Sequence, residues 1–135
     1  MLAALLLDYL DGEHVVDKGV DGFVDVAPDQ PDTLVVLRQN GGPPPDGIHP
    51  YDTVRVQVWV RGDRDPRTAH DLSYAIFDEL HGLSSVDVGD PATRIVSCFA
   101  QQPPTFIGRD DSQRIRYSHN YLIHVKNATD SREGW

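Results

Sequence analysis

The segment from Thr53 to Val60 constrains the fold more than any other part of the chain, because apolar and other side chains alternate along it without a break. One side carries Val54, Val56, Val58 and Val60, and the other carries Thr53, Arg55, Gln57 and Trp59. A period of two is typical of a strand with one face on a core. Burying valines contributes about 1.5 to 3 kcal/mol each. The segment therefore predicts a sheet with one strongly apolar face.

A helix is predicted directly after this strand. Asp65 and Pro66 provide an N-cap residue followed by proline at the first helical position, and Gly82 stands where a left-handed C-cap residue is wanted. Between them, apolar residues recur at spacings of three and four: Ala69, Leu72, Ile76, Phe77, Leu80 and Leu83. We expect this stripe to lie on the valine face of the strand.

The other segments predict a small α+β domain. Met1 to Leu10 has helical spacing, with an end near Gly12. Strand patterns occupy residues 34–37, 94–101 and 114–125, residues 23–26 could form a brief strand, and residues 40–50, 84–93 and 102–113 are predicted connections. The prediction is a single domain over residues 1–126, with one mostly antiparallel sheet of about four strands and two helices packed on one face. Residues 127–135 are predicted to form a polar C-terminal tail.

The second face of the predicted sheet has no helix left to cover it. It would display Arg55, Gln57 and Trp59 to solvent. Because an exposed tryptophan beside arginine is typical of protein interfaces, we expect another chain to cover this face.

The charge and the composition exclude several classes of function. The formal net charge is −9, and residues 1–32 hold eight acidic residues against Lys18 alone. Such a surface repels phosphate, so general binding of DNA or RNA is not expected. No apolar run is long enough for a membrane span, and Met1 to Leu7 lacks the basic start of a secretory signal. The single cysteine, Cys98, fits synthesis in a reducing cytoplasm.

No catalytic constellation is evident, and the sequence indicates no cofactor or metal. His119 and His124 have opposite parity on their strand, and Cys98 falls in a strand that looks buried. Asp110 and Asp111 could be paired carboxylates for acid–base chemistry or for magnesium, or they could form a turn with the neighbouring arginines. Both interpretations stay open at this point.

The order of features resembles that of the tail terminator and minor capsid proteins of long-tailed, siphovirus-type bacteriophages. The resemblance spans about residues 20 to 125 and depends on five segments: Phe23 to Asp32, Leu34 to Gly42, Val54 to Arg61, Ala69 to Gly82, and Gln102 to Tyr121. Within the last segment it rests on Gln102-Pro-Pro-Thr-Phe-Ile-Gly-Arg-Asp110 and on Tyr117-Ser-His-Asn-Tyr121.

This resemblance implies a structural protein of the virion and not an enzyme. Such proteins form a homohexameric ring at the head-proximal end of the tail tube, where they contact the major tail tube protein and a head completion or stopper protein. Genomic DNA passes through the lumen without specific binding. The protein would be made in the host bacterial cytoplasm and reside at the head–tail junction. The candidate interface residues are Arg55, Gln57, Trp59, Arg61, Arg109, Asp110, Arg114 and Trp135.

Three alternatives remain at this stage. The chain could be another head–tail joining or minor capsid subunit, an unrelated cytoplasmic protein-interaction module, or a small hydrolase that uses Asp110 and Asp111. The last would show metal-dependent hydrolysis, whereas the others would show only binding.

Overall fold

The structure is a computed structural model that describes residues 1–44, 47–89 and 93–126. Two helices and seven strands follow one another along these residues: α1 (Leu2–Gly12), β1 (Gly22–Val24), β2 (Leu34–Gln39), β3 (Tyr51–Arg61), α2 (Pro66–Leu80), β4 (Ser84–Val88), β5 (Thr93–Ala100), β6 (Thr105–Arg109) and β7 (Ile115–Lys126).

All seven strands belong to one sheet. Its order is β1-β2-β3-β7-β5-β4, and β6 also pairs with β7. Strand β7 therefore has β3 along residues 116–126 of one edge, whereas β5 and β6 share its other edge. β5 pairs with residues 121–126 and β6 with residues 115–118, so these two strands lie one after the other beside β7.

The prediction of a mostly antiparallel sheet of about four strands is wrong. The sheet has seven strands, curls into a half-barrel, and is mixed because β1 runs parallel to β2. Both β4 and β6 lie in segments that were predicted as connections. Each is a short strand beside β5 or β7, and most of its residues are exposed, so neither has the apolar alternation that marks a strand in sequence.

The core lies between the valine face of β3 and the two helices. Val56, Val58 and Val60 are fully buried and share one cluster with Ile76 and Leu80 of α2. Val54 and Leu72 pack against this cluster while remaining partly accessible. The predicted contact between the valine face and the second helix is therefore confirmed.

Helix α1 lies between the two ends of the curled sheet. It contacts β1 and β2 at one end and β4 at the other. At both ends a glycine allows the close approach: a Cβ on Gly22 would lie 2.8 Å from Leu7 Cδ1, and one on Gly89 would lie 2.7 Å from Leu5 Cδ2. The buried side chains of α1 fill the opening that the half-barrel leaves.

The ends of α2 follow the capping signals in the sequence. The side chain of Asp65 accepts a hydrogen bond from the backbone N–H of Arg67 (3.0 Å), and Pro66 begins the helix. After the helix, Gly82 has a φ of +85°, a conformation that glycine adopts without strain.

Candidate functional site

One face of the sheet has no helix on it in the part of the chain that the structure describes. We call it the open sheet face, and define it by the side chains of β2, β3, β5 and β7 that point away from the core. Arg55 is exposed at its centre, and Gln57 and Trp59 are half-buried beside it. Gln57 Nε2 donates to Ser118 Oγ of β7 at 3.1 Å. Arg55, Gln57 and Trp59 therefore lie together, as the alternation predicts.

Aromatic and apolar side chains continue across the open sheet face. Trp59 faces Ser118 across the pair β3–β7 and Val36 across the pair β2–β3. Phe99 on β5 is opposite Leu122 and lies 6.1 Å from the His124 ring, measured between ring centroids. The combination of aromatic rings and arginine is enriched in the centres of protein interfaces.

At one end of β3, Arg61 occupies a different environment. It belongs to the same side of the strand, but it is 4% exposed. Its Nε donates to the carbonyl oxygen of Asp32 (2.9 Å), and its Nη2 donates to those of Pro28 (3.0 Å), Asp29 (2.9 Å) and Pro31 (2.8 Å). Arg61 thus holds the loop of residues 28–32 against the end of the sheet. Burial, together with the nearby Arg114 charge, lowers the pKa of this guanidinium.

Arg114 holds the same loop from the other side. Its Nε donates to Asp110 Oδ2 at 2.7 Å, its Nη2 lies 3.2 Å from Asp29 Oδ1, and its Nη1 lies 3.3 Å from Asp32 Oδ1. The side chains of Arg114 and Asp110 are 10% and 19% exposed, so this pair is less screened than an ordinary surface ion pair, whereas the carboxylates of Asp29 and Asp32 are exposed to solvent. The hydrogen bond to Asp110 is the main cause that raises the pKa of Arg114.

Asp110 is thereby fixed as an acceptor within the chain. Besides Arg114 Nε, its carboxylate accepts hydrogen bonds from the backbone N–H of Arg114 (2.9 Å) and of Ser112 (3.0 Å). Partial desolvation opposes the effect, but these hydrogen bonds prevail and lower the pKa of Asp110. Of the two interpretations of Asp110 and Asp111, this geometry favours a salt-bridged turn.

Loops 28–32, 62–65 and 110–114 therefore meet at one end of the sheet, and we call them the arginine-held loops. They border a cavity of about 400 Å³. Its lining is charged or polar throughout: Asp32, Asp63, Arg64, Asp65, Ser112 and Arg114. Arg109 is exposed next to these loops and donates through Nη1 to the carbonyl oxygen of Gln113 at 3.2 Å.

The helix side of the molecule presents a row of rings. Measured between ring centroids, Phe106 lies 6.0 Å from Tyr117. The ring of His70 lies 5.9 Å from that of Tyr117 and 4.7 Å from that of Tyr74. Along α2 the row continues through Tyr74 and Phe77 (5.9 Å). Phe106 and Tyr74 remain exposed, so this row forms a second aromatic surface.

The groups that could support catalysis are used in other ways. His119 is fully buried, with Nδ1 2.9 Å from Tyr121 Oη, and His124 points to the open sheet face. Burial raises the pKa of the Cys98 thiol to about 12, which keeps it protonated at neutral pH. Within the described ranges, no group of three or more His, Cys, Asp and Glu side chains is placed to hold a metal ion. No described helix is long and apolar enough to cross a membrane.

The structure thus places the predicted interface residues in two groups. Arg55, Gln57 and Trp59 lie on the open sheet face, whereas the arginine-held loops bring together Arg61, Arg109, Asp110 and Arg114. Trp135 lies outside the described residues. Sequence reasoning missed that Arg61 and Arg114 are internal because, apart from Asp110, their partners are 29 to 85 residues away along the chain. It also missed the row of rings, although Tyr74 and Phe77 on one helix were a visible signal.

These features define a small α+β half-barrel protein whose distinctive groups lie on its surfaces. Residues 9–127 match the family model of the bacteriophage tail terminator protein, and because the match covers most of the chain, the chain belongs to that family. It is therefore a structural tail protein and a component of the virion. No curated protein matches the chain at a significant level.

Proposed function

We propose that the protein forms a homohexameric ring that caps the head-proximal end of the tail tube, ends its polymerisation and joins it to the head. Membership in the tail terminator family is the observation that carries this proposal. A ring requires two different surfaces on each subunit, one for each neighbour, plus surfaces for the tube and for the head. The open sheet face, the row of rings and the arginine-held loops supply distinct candidates.

We further propose that the arginine-held loops contact the partners along the axis of the ring. Those partners are the major tail tube protein and a head completion or stopper protein. The loops suit such a contact because Arg61 and Arg114 fix their backbones before binding, so little conformational entropy is lost when a partner docks. Genomic DNA passes through the lumen without specific binding, and the protein is made in the host cytoplasm.

The test combines imaging with assembly. The purified protein, mixed with polymerising tail tube protein, should appear as a six-fold ring at one end of each tube and should stop elongation. A phage that lacks the gene should produce tubes of uncontrolled length without attached heads. Tubes of normal length joined to heads in that phage would refute the proposal.

Substitutions in the arginine-held loops separate assembly from catalysis. Changing Asp110 and Asp111 to asparagine should leave the monomer folded but reduce its incorporation into particles. Asp111→Asn alone is the matched control for folding, because Asp111 is exposed and makes no side-chain hydrogen bond or ion pair with described residues. Metal-dependent hydrolysis by the wild type that disappears in the double variant would favour the hydrolase alternative instead.

A further inference from the structure

The open sheet face is basic although the protein is acidic. Along β2, β3 and β7 it carries Arg38, Arg55, Arg116 and Lys126. The only acid in these three strands is Asp52, which is paired with Val125 and so belongs to the core side. With a net charge of −9 for the chain, this local excess of cations is the reverse of the average surface.

Two of these cations have no partner within the subunit. The guanidinium groups of Arg38 and Arg55 are exposed and make no hydrogen bond or ion pair with the described residues. Arg38 is opposite Gln57, two positions from Arg55 on the adjacent strand, so the two side chains are diagonal neighbours. Trp59 is a diagonal neighbour of Arg38, and Phe99 lies two strands from Arg55, beyond Leu122. The open sheet face therefore lacks both an anionic and an apolar complement.

The outer face of α2 provides both an anionic and an apolar complement to the open sheet face. Asp71, Tyr74, Ala75 and Asp78 are exposed and recur at helical spacing, so they form one stripe. Asp71 and Asp78 are seven residues apart, a rise of about 10 Å along the helix axis. Asp78 makes no hydrogen bond or ion pair with described residues, whereas Asp71 Oδ1 lies 3.0 Å from His70 Nδ1 at the surface. We call this stripe the outer α2 face.

We propose that the open sheet face of one copy is covered by the outer α2 face of the next copy. The inference rests on the proposed ring and adds which surfaces form its subunit contact. Arg38 and Arg55 of one copy pair with Asp71 and Asp78 of its neighbour, and Tyr74 packs against the aromatic surface beside Trp59. A helix on each face of a sheet is also the usual way in which sheets bury both sides.

The charges select a head-to-tail arrangement. A two-fold dimer through the open sheet face would place Arg38 and Arg55 against their own copies, and one through α2 would place Asp71 and Asp78 against theirs. Like charges in an interface cost several kcal/mol. Only contact between unlike surfaces pairs opposite signs. Duplex DNA is a poorer occupant, because non-specific binding is driven by the neutralisation of phosphates and the face offers few unpaired cations.

Cysteine cross-linking tests the arrangement directly, since the native Cys98 is buried. Gln57→Cys places a thiol on the open sheet face, and Ala75→Cys places one on the outer α2 face. With a short bifunctional maleimide, a mixture of the two variants should yield a linked heterodimer, and neither variant alone should yield a homodimer. A chain with both substitutions should give a series of cross-linked oligomers of increasing size, with the closed ring as the largest product.

Charge reversal provides a second measurement. Arg55→Glu and Asp78→Arg should each weaken ring assembly about tenfold or more, and the chain with both changes should recover most of the loss. Assembly is measured by mass photometry over a series of protein concentrations. Glu13→Arg, a charge reversal at the exposed C-terminal end of α1, should assemble like the wild type.

Several results would overturn the inference while leaving the ring intact. One such result is a maleimide link between two Gln57→Cys chains. Another is the absence of links between Gln57→Cys and Ala75→Cys chains in samples that contain rings. A third is an Arg55→Glu ring as stable as that of the wild type. Increased labelling of Gln57→Cys monomers after removal of residues 127–135 would show that the chain's own tail covers the face. Loss of duplex DNA binding on Arg55→Glu would assign the face to nucleic acid. If the wild type forms no ring even with tail tube protein, the proposed function itself fails.

Discussion

Val58 lies in the middle of the core, fully buried and directly opposite His119 of β7. Replacing it with aspartate would bury a carboxylate without an adequate partner, at a cost of several kcal/mol. We expect Val58→Asp to abolish soluble expression. Gln57→Asp, one position earlier and on the open sheet face, is the matched control and should express normally. A soluble Val58→Asp protein with the wild-type melting temperature would contradict the observed register.

His119 makes the stability of the monomer dependent on pH. Burial lowers the pKa of this imidazole to about 4, from 6.5 in the unfolded chain. As the pH falls below 6.5, His119 binds a proton in the unfolded state but stays neutral in the folded state until about pH 4. The folded state therefore loses stability relative to the unfolded state across this pH range. The loss should reach about 2 kcal/mol at pH 5.

Urea denaturation at several pH values measures this effect. Between pH 7 and pH 5, His119→Gln should show a smaller loss of unfolding free energy than the wild type. His124→Gln, on the open sheet face, is the matched control for the loss of an imidazole side chain. A wild-type stability that does not change over this range would rule out a neutral, buried His119.

Individual residues were predictable where a local pattern decides their position. Alternation alone placed Val56 in the core and Arg55 on the opposite face, because the two sides of a strand are fixed by its geometry. Arg61 shares the parity of Arg55, and nothing near it in sequence indicates burial. Its environment depends on a loop brought back from residues 28–32, a long-range contact that no local pattern encodes.

At the scale of elements, Gly62 fixes the distance between the end of β3 and the start of α2. A Cβ at this position would lie 2.7 Å from the backbone nitrogen of Ala69 and 2.8 Å from its Cβ. Because backbone atoms cannot yield easily, Gly62→Ala should destabilise the protein by about 1 to 3 kcal/mol in urea denaturation. Gly12→Ala is the control, since a Cβ there meets nothing within 4 Å. Equal stability of the two variants would show that α2 is not packed this closely.

Elements were predictable in proportion to the strength of their own patterns. The helix after Asp65 and the long strand ending near residue 125 were found because each buries a full stripe or a full face. Strand β4 has only Val86 and Val88 facing inward, and β6 follows two prolines and contains a bulge next to Gly108. Such short strands form because a neighbour offers free backbone groups, which their own sequences do not reveal.

At the scale of the whole molecule, the net charge of −9 per subunit leads to a prediction about DNA. A basic lumen would bind the genome and slow its passage, whereas an acidic wall would not. The proposed ring, once purified, should therefore show no detectable affinity for duplex DNA at physiological salt in a fluorescence anisotropy assay. Micromolar binding under those conditions would contradict this expectation.

We expect acids from residues 1–32 to line or flank the lumen of the proposed ring. Reversing the charge of the aspartates that face the lumen should slow genome delivery without preventing tail assembly, because those side chains would meet DNA and not neighbouring subunits. Ejection kinetics of phage carrying the variant measure the effect. A lumen found to be lined mainly by arginine would refute this assignment.

The position of β7 in the chain has a consequence for how the protein folds. β7 follows β3, β5 and β6 in sequence, yet it is the strand with which all three pair. Until residues 115–126 have left the ribosome, these strands lack their common partner, and one edge of β3 stays unpaired. Most native contacts join residues that are far apart in sequence, so the fold has a high contact order. A high contact order is associated with slow folding. During synthesis, the nascent chain therefore presents unpaired apolar strands. Such strands can bind to chaperones or aggregate with other chains before the fold is complete.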